Sequence, residues 1–177
     1  MLTTLRAWLG KLEEFLIATL LALMTLVTFA QVIARYVFND SFVWAVELVG
    51  FLFAGLIFFG MAYGVRTGSH IGVDALVKTF KPGTARIVGM IAVVACLAYS
   101  VILFIGGWQY VAKMKEIGIL AQDLPIEQWI PRMVLPIGYA LLFWRFLQVL
   151  HGLWTGERTN VGLADEAADA LKYKTEA

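Results

Sequence analysis

Three stretches of the chain contain no Asp, Glu, Lys or Arg: Phe15–Ala34 (20 residues), Leu48–Val65 (18) and Ile87–Ala112 (26). A bilayer's hydrocarbon core is about 30 Å thick and a helix rises about 1.5 Å per residue, so about 20 residues cross it and 26 imply tilt or extension into the headgroups. Each stretch can therefore span a membrane. A fourth, Met133–Trp154, has the length but carries Arg145 and His151. Pro131 and Pro136 fit its first turns, where a missing N–H is tolerated or a modest kink results, and Trp154-Thr155-Gly156 supplies an interfacial ring and a stop. Lipid-facing backbone must satisfy its own hydrogen bonds, which leaves helices or closed barrels, and strand-like alternation is absent.

Composition agrees. Apolar residues make up 60% of the chain and mean hydropathy is +0.78, whereas a water-soluble domain uses roughly 45–50% apolar residues. The excess faces lipid, which sets aside most soluble enzymes. A net charge of +1, with basic residues scattered between apolar blocks, excludes nucleic acid as a partner. The single cysteine, Cys96, can form neither an intrachain disulfide nor a multi-cysteine metal site.

The expected fold is an all-α integral membrane protein: four transmembrane helices at about 15–34, 48–65, 87–112 and 133–154 in a single domain (1–155), with short interfacial helices, then a cytoplasmic tail (156–177). Basic residues orient it. Arg6, Lys11, Arg66, Lys78, Lys81, Arg86, Arg158, Lys172 and Lys174 fall on one side, and Arg35, Lys113, Lys115 and Arg132 on the other. Both termini are thus expected in the cytoplasm. The first span is too long for a usual signal-peptide core and no convincing small-x-small cleavage site follows, so it reads as an uncleaved signal anchor. Ahead of it, Leu2, Leu5, Leu9 and Leu12 with Trp8 form a stripe opposite Arg6, Lys11 and Glu13, which predicts a short helix on the cytoplasmic surface before the chain turns inward. The segments 38–44 and 123–131 mix helix-start residues with aromatics and read as interfacial, with a helix cap at Asp40 or Ser41.

Embedded ionisable residues are the first candidates for function, since each costs about 2.5–3.5 kcal/mol or more at the bilayer centre unless paired or hydrated. Arg145 lies nine residues before Trp154, about 13 Å along a helix. It is either a binding or coupling charge or, more simply, a snorkelling or helix-pairing one. Arg35 ends the first span and Glu47 heads the second, where the helix dipole favours each sign. Arg66, His70 and Asp74 recur every four residues and could form a ladder serving as a structural clasp, a proton relay or a lipid-phosphate site. Gly60, Gly64, Gly68 and Gly72 make a small-residue strip that admits a close helix neighbour. His70 and His151 fall near the water boundary, so bis-histidine haem ligation is a thinkable but poorly supported alternative. No HExxH, Walker A, GxSxG or CxxC motif and no carboxylate pair within a span occurs, so no cofactor and no catalysis is expected.

The run Gln31-Val32-Ile33-Ala34-Arg35-Tyr36-Val37-Phe38, then Trp44-Ala45-Val46-Glu47-Leu48, then Gly60 with Arg66-x-x-x-His70-Ile71-x-Val73-Asp74, resembles the small permease subunit of tripartite ATP-independent periplasmic (TRAP) transporters, the DctQ-like family. Leu124-Pro125 with Trp129, and Leu135-Pro136-Ile137-Gly138-Tyr139-Ala140-Leu141-Leu142, look like that family's last helix. The resemblance covers roughly residues 10 to 150. It implies a non-catalytic scaffold in the bacterial inner membrane, alongside a large permease subunit that holds the Na⁺ and solute sites and a periplasmic protein that captures an organic acid. A haem- or quinone-associated anchor of a redox complex is the competing expectation. On the transporter reading, Arg35, Trp44, Glu47, Gly60, Gly64, Arg66, His70, Asp74 and Arg145 are structural or interface residues, and the aromatic residues Phe51, Phe58, Phe59, Tyr63 and Tyr99 pack inside the chain or against the large subunit.

Overall fold

The computed structural model describes residues 2–67 and 82–155. Within them lie helices α1 (Leu2–Val37), α2 (Val43–Thr67), α3 (Pro82–Ile117), α4 (Trp129–Arg132) and α5 (Val134–Thr155). Four segments are long and apolar enough to cross a membrane: Gly10–Val37, Val43–Thr67, Arg86–Ile117 and Trp129–Thr155. Each contains or overlaps one of the apolar blocks of the sequence, and the protein is all-α. Among the described residues the one strand-like pairing is an isolated antiparallel bridge between Leu120 and Glu127.

The helices outrun the charge-free blocks because ionisable side chains are welcome where a span meets water. The clearest departure from expectation is α1, which is unbroken from Leu2 to Val37. The separate surface helix does not form. No proline interrupts residues 2–37, and a break would orphan four N–H and four C=O groups beside lipid. At its far end the N–H groups of Phe38 and Asp40 both return to the Ala34 carbonyl, at 3.2 and 3.1 Å. Asn39 makes that wrap possible with φ 51°, a left-handed conformation that asparagine tolerates better than most residues.

Among the described residues the expected interfacial helices mostly do not form. Residues 38–42 are non-helical, and α2 starts at Val43 rather than at a cap on Asp40 or Ser41. Beyond α3, Gly118 takes φ +69° and donates to the Met114 carbonyl at 3.1 Å, the single bond of a left-handed helix stop. The chain then folds into a short loop, with Ala121 N–H on the Ile126 carbonyl and Gln128 N–H on the Ile119 carbonyl, both at 2.9 Å. Only α4, one turn long, corresponds to the second expected interfacial helix. It is cut from α5 at Met133, because Pro136 has no N–H to offer the Arg132 carbonyl four residues earlier.

The residues group into two compact units, one of Met1–Tyr63 with Val101–Leu141 and the other of Gly64–Ser100 with Leu142–Ala177. In the first, Gly55 lies against Leu20 and Val134, and Gly138 lies against Phe58, whose ring meets Tyr139 edge-on at 5.2 Å. In the second, Val93, Leu97, Ser100, Phe146, Val149 and Leu153 are buried. Large apolar side chains elsewhere are widely exposed, and no residue in the most apolar eighteen-residue stretch of α1 is buried among the described residues. Hydroxyls within the spans bond back to their own helix: Thr19 to the Phe15 carbonyl at 2.7 Å, Thr25 to Leu21 at 2.9 Å and Ser100 to Cys96 at 2.8 Å. Such bonds leave no donor facing hydrocarbon.

Candidate functional site

In the first unit, polar chemistry concentrates where α2 begins. The Glu47 carboxylate receives three successive backbone N–H groups: Gln122 onto Oε1 at 3.0 Å, and Asp123 and Leu124 onto Oε2 at 2.8 and 3.1 Å. Consecutive N–H groups converging in this way make an anion-binding concavity. Here the anion belongs to the same chain, so Glu47 latches the 119–128 loop to the start of α2. A helix-dipole partner, as the sequence suggested, requires none of these bonds.

Around the latch lie cations and aromatic rings. The Arg132 guanidinium sits over the Tyr110 ring at 5.3 Å and the Lys115 ammonium over Trp129 at 4.9 Å, while the Trp129 indole N–H donates to Glu127. Phe42 and Trp44 stack at 5.7 Å between centroids, and both are exposed. Two apolar clefts open here. One, of about 190 Å³, is lined by Trp108, Val111, Ala112, Lys115, Trp129 and Met133. The other, of about 410 Å³, runs along α2 at Phe51, Ala54 and Phe58, with Tyr110, Arg132 and Leu135 among its remaining walls.

The second unit has its own polar tie. Arg86, in the first turns of α3, donates through Nε to the Leu153 carbonyl at 2.8 Å and through a terminal nitrogen to the Trp154 carbonyl. A cation on carbonyls that end a helix satisfies acceptors and matches the dipole together. Arg145 is buried and donates to the Gln148 side chain at 3.0 Å, one turn along α5.

The other residues singled out by sequence are spread out. Arg35 occupies the last turn of α1 and Arg66 that of α2. His70, Asp74, Gly68 and Gly72 lie outside the described residues, as does the 156–177 tail. A Cβ added at Gly60 or Gly64 would meet no atom of the described residues within 4 Å. Among the described residues, the glycines that seat a neighbour are Gly55, against Leu20, and more tightly Gly107, against Leu135, and Gly138, against Phe58. Of the aromatic set, Phe58 engages Tyr139, while Tyr99 is exposed. Sequence reasoning missed the partners of Glu47 and of Arg86. No local signal marks them, because each pair is separated by between 67 and 77 residues.

Comparison with known proteins fits this arrangement. The chain is 40% identical to the C4-dicarboxylate TRAP transporter small permease protein DctQ of Pseudomonas aeruginosa, over 94% of this chain and 93% of that one. It is 36% identical to the protein of the same description from Vibrio cholerae, over 92% and 79%. It also matches the sialic acid TRAP transporter permease protein SiaT of Haemophilus influenzae, 28% identical over 80% of this chain but only 23% of that much longer one. Residues 24–156 match the family described as tripartite ATP-independent periplasmic transporters, DctQ component. With four apolar helices, polar contacts gathered at their ends and relatives that are transporter permeases, this chain belongs to the DctQ component family of the tripartite ATP-independent periplasmic transporters.

Proposed function

We propose that this chain is the non-catalytic small membrane subunit of a Na⁺-coupled TRAP transporter for an organic acid, with a C4-dicarboxylate as the first candidate solute. It scaffolds a large permease subunit that binds solute and ion, and a periplasmic binding protein delivers the solute. It sits in the bacterial inner membrane with both termini in the cytoplasm, so the Glu47-latched loop faces the periplasm. The observation that carries the reading is the bareness of α1: a whole span with no residue of its most apolar stretch buried among the described residues needs lipid or another protein against it. The match to one segment of the much longer SiaT supports a lasting association with a larger permease. No discontinuous pair of helices with a polar midplane cluster, the usual architecture of a solute site, occurs among the described residues.

The test is uptake of a labelled C4-dicarboxylate into proteoliposomes under an inward Na⁺ gradient with the binding protein outside. Uptake is expected only when the large subunit and this chain are both present. Full uptake by the large subunit alone, or any by this chain alone, overturns the scaffold role, and undiminished uptake without Na⁺ overturns the coupling. A haem absorbance band in the purified chain would support the redox-anchor alternative instead. Within the scaffold reading, the Arg66–His70–Asp74 ladder braces the cytoplasmic end, and its triple alanine variant should lower assembly or uptake. Normal amounts of complex with full uptake would remove that role.

A further inference from the structure

We propose that the larger cleft in the first unit binds one membrane phospholipid, with an acyl chain along α2 and the phosphate on Arg132. Phe51, Ala54 and Phe58 lie on one face of α2 and, with Leu135, give the cleft an apolar wall. From Phe51 to Phe58 that wall extends about 10 Å along the axis, and the cleft volume of about 410 Å³ falls among those of ligand sites, about 300–1,000 Å³. A compact polar solute would waste such a wall; a hydrocarbon tail matches it.

Arg132 supplies the polar end. Its guanidinium rests over Tyr110 at 5.3 Å and makes one long contact with the Met114 sulfur at 4.0 Å. Glu47 lies within electrostatic range of it but spends its carboxylate oxygens on backbone N–H groups of the 122–124 loop. A guanidinium carries five N–H donors in a planar fork suited to phosphate, and most of these are unspent. Tyr110 and Trp129 mark this end of the helices as the level where aromatic rings, and therefore headgroups, gather. Phosphate at headgroup level is the acceptor within reach of a cation at a lipid-facing rim. Charge and shape thus select the same occupant.

The proposal rests on the four helices lying in a bilayer and is tested in the transporter complex proposed above, so a complex that assembles and takes up solute but holds no lipid fails this proposal alone. The experiment is native mass spectrometry of the co-purified transporter complex, delipidated and exchanged with phosphatidylglycerol, phosphatidylethanolamine or a diacylglycerol of the same chains. Both phospholipids should be retained and the diacylglycerol held about tenfold less well, with R132Q erasing the difference and R132K keeping most of it. A54F, which fills the cleft, should reduce retention of all three. R132Q is decisive even if A54F fails to assemble, because its side chain stands at the rim. Equal retention of diacylglycerol and phospholipid, unchanged retention in R132Q, or an assembled complex with no lipid held, as when a partner's side chains fill the cleft, overturns the proposal.

Discussion

Phe58 lies so close to Gly138 that a Cβ added to the glycine would fall 2.5 Å from the Phe58 Cβ and 2.7 Å from its Cγ. Those atoms sit next to the α2 backbone and have little freedom to retreat. G138A is therefore expected to destabilise the protein by about 1–3 kcal/mol, the usual range for overpacking. F58A should restore only part of the loss, since alanine keeps the offending Cβ. Denaturant titration of the detergent-solubilised protein, followed by helical circular dichroism, measures both.

Gly107 offers the contrasting case. An added Cβ there meets Leu135 Cδ2, the far end of a side chain that can change rotamer. G107A should cost less than G138A, about 1 kcal/mol or under. A larger loss for G107A would show that Leu135 is locked.

The Glu47 latch makes a prediction readable amide by amide. Two oxygens serve three donors. A glutamine keeps one acceptor and turns an NH₂ toward an N–H, so E47Q should weaken the latch and E47A abolish it. Hydrogen exchange at Gln122, Asp123 and Leu124 should accelerate in the order wild type, E47Q, E47A. Equal rates in all three would mean the loop holds its shape unaided.

At the other tie, Arg86 bonds two carbonyls with one planar group. R86K retains the charge but not the fork, so it should recover part of what R86A loses. The R86A loss is expected at about 1–2 kcal/mol, since hydrogen bonds to charged groups exceed neutral ones and partial exposure trims the gain. The Lys113–Glu116 pair, at 2.9 Å with both side chains largely exposed, serves as a control, and K113A should change stability by less than about 0.5 kcal/mol.

The spans were legible because absence of charge over 18 or more residues has few physical outcomes other than a membrane helix. Their ends were not. A charged residue at an interface neither stops a helix nor extends it, so α1 continues through Glu13, Glu14 and Lys11 where a turn was expected. Glu47 stood out in sequence as a charge at a helix start, yet nothing adjacent to it specifies that its partners are main-chain N–H groups near position 123. Gly60 and Gly64 have the spacing of a helix contact, while among the described residues the close approaches fall at Gly55, Gly107 and Gly138. Spacing describes a single helix, while closeness is a property of two.

The latch also shapes how the loop can change over generations. Glu47 grips amide hydrogens, which every residue but proline possesses, and ignores what hangs from the α-carbons of Gln122, Asp123 and Leu124. A substitution at any of the three that keeps the N–H therefore leaves the latch its full set of donors, whatever side chain it brings. A proline at any one of them would take away one of the tether's three hydrogen bonds.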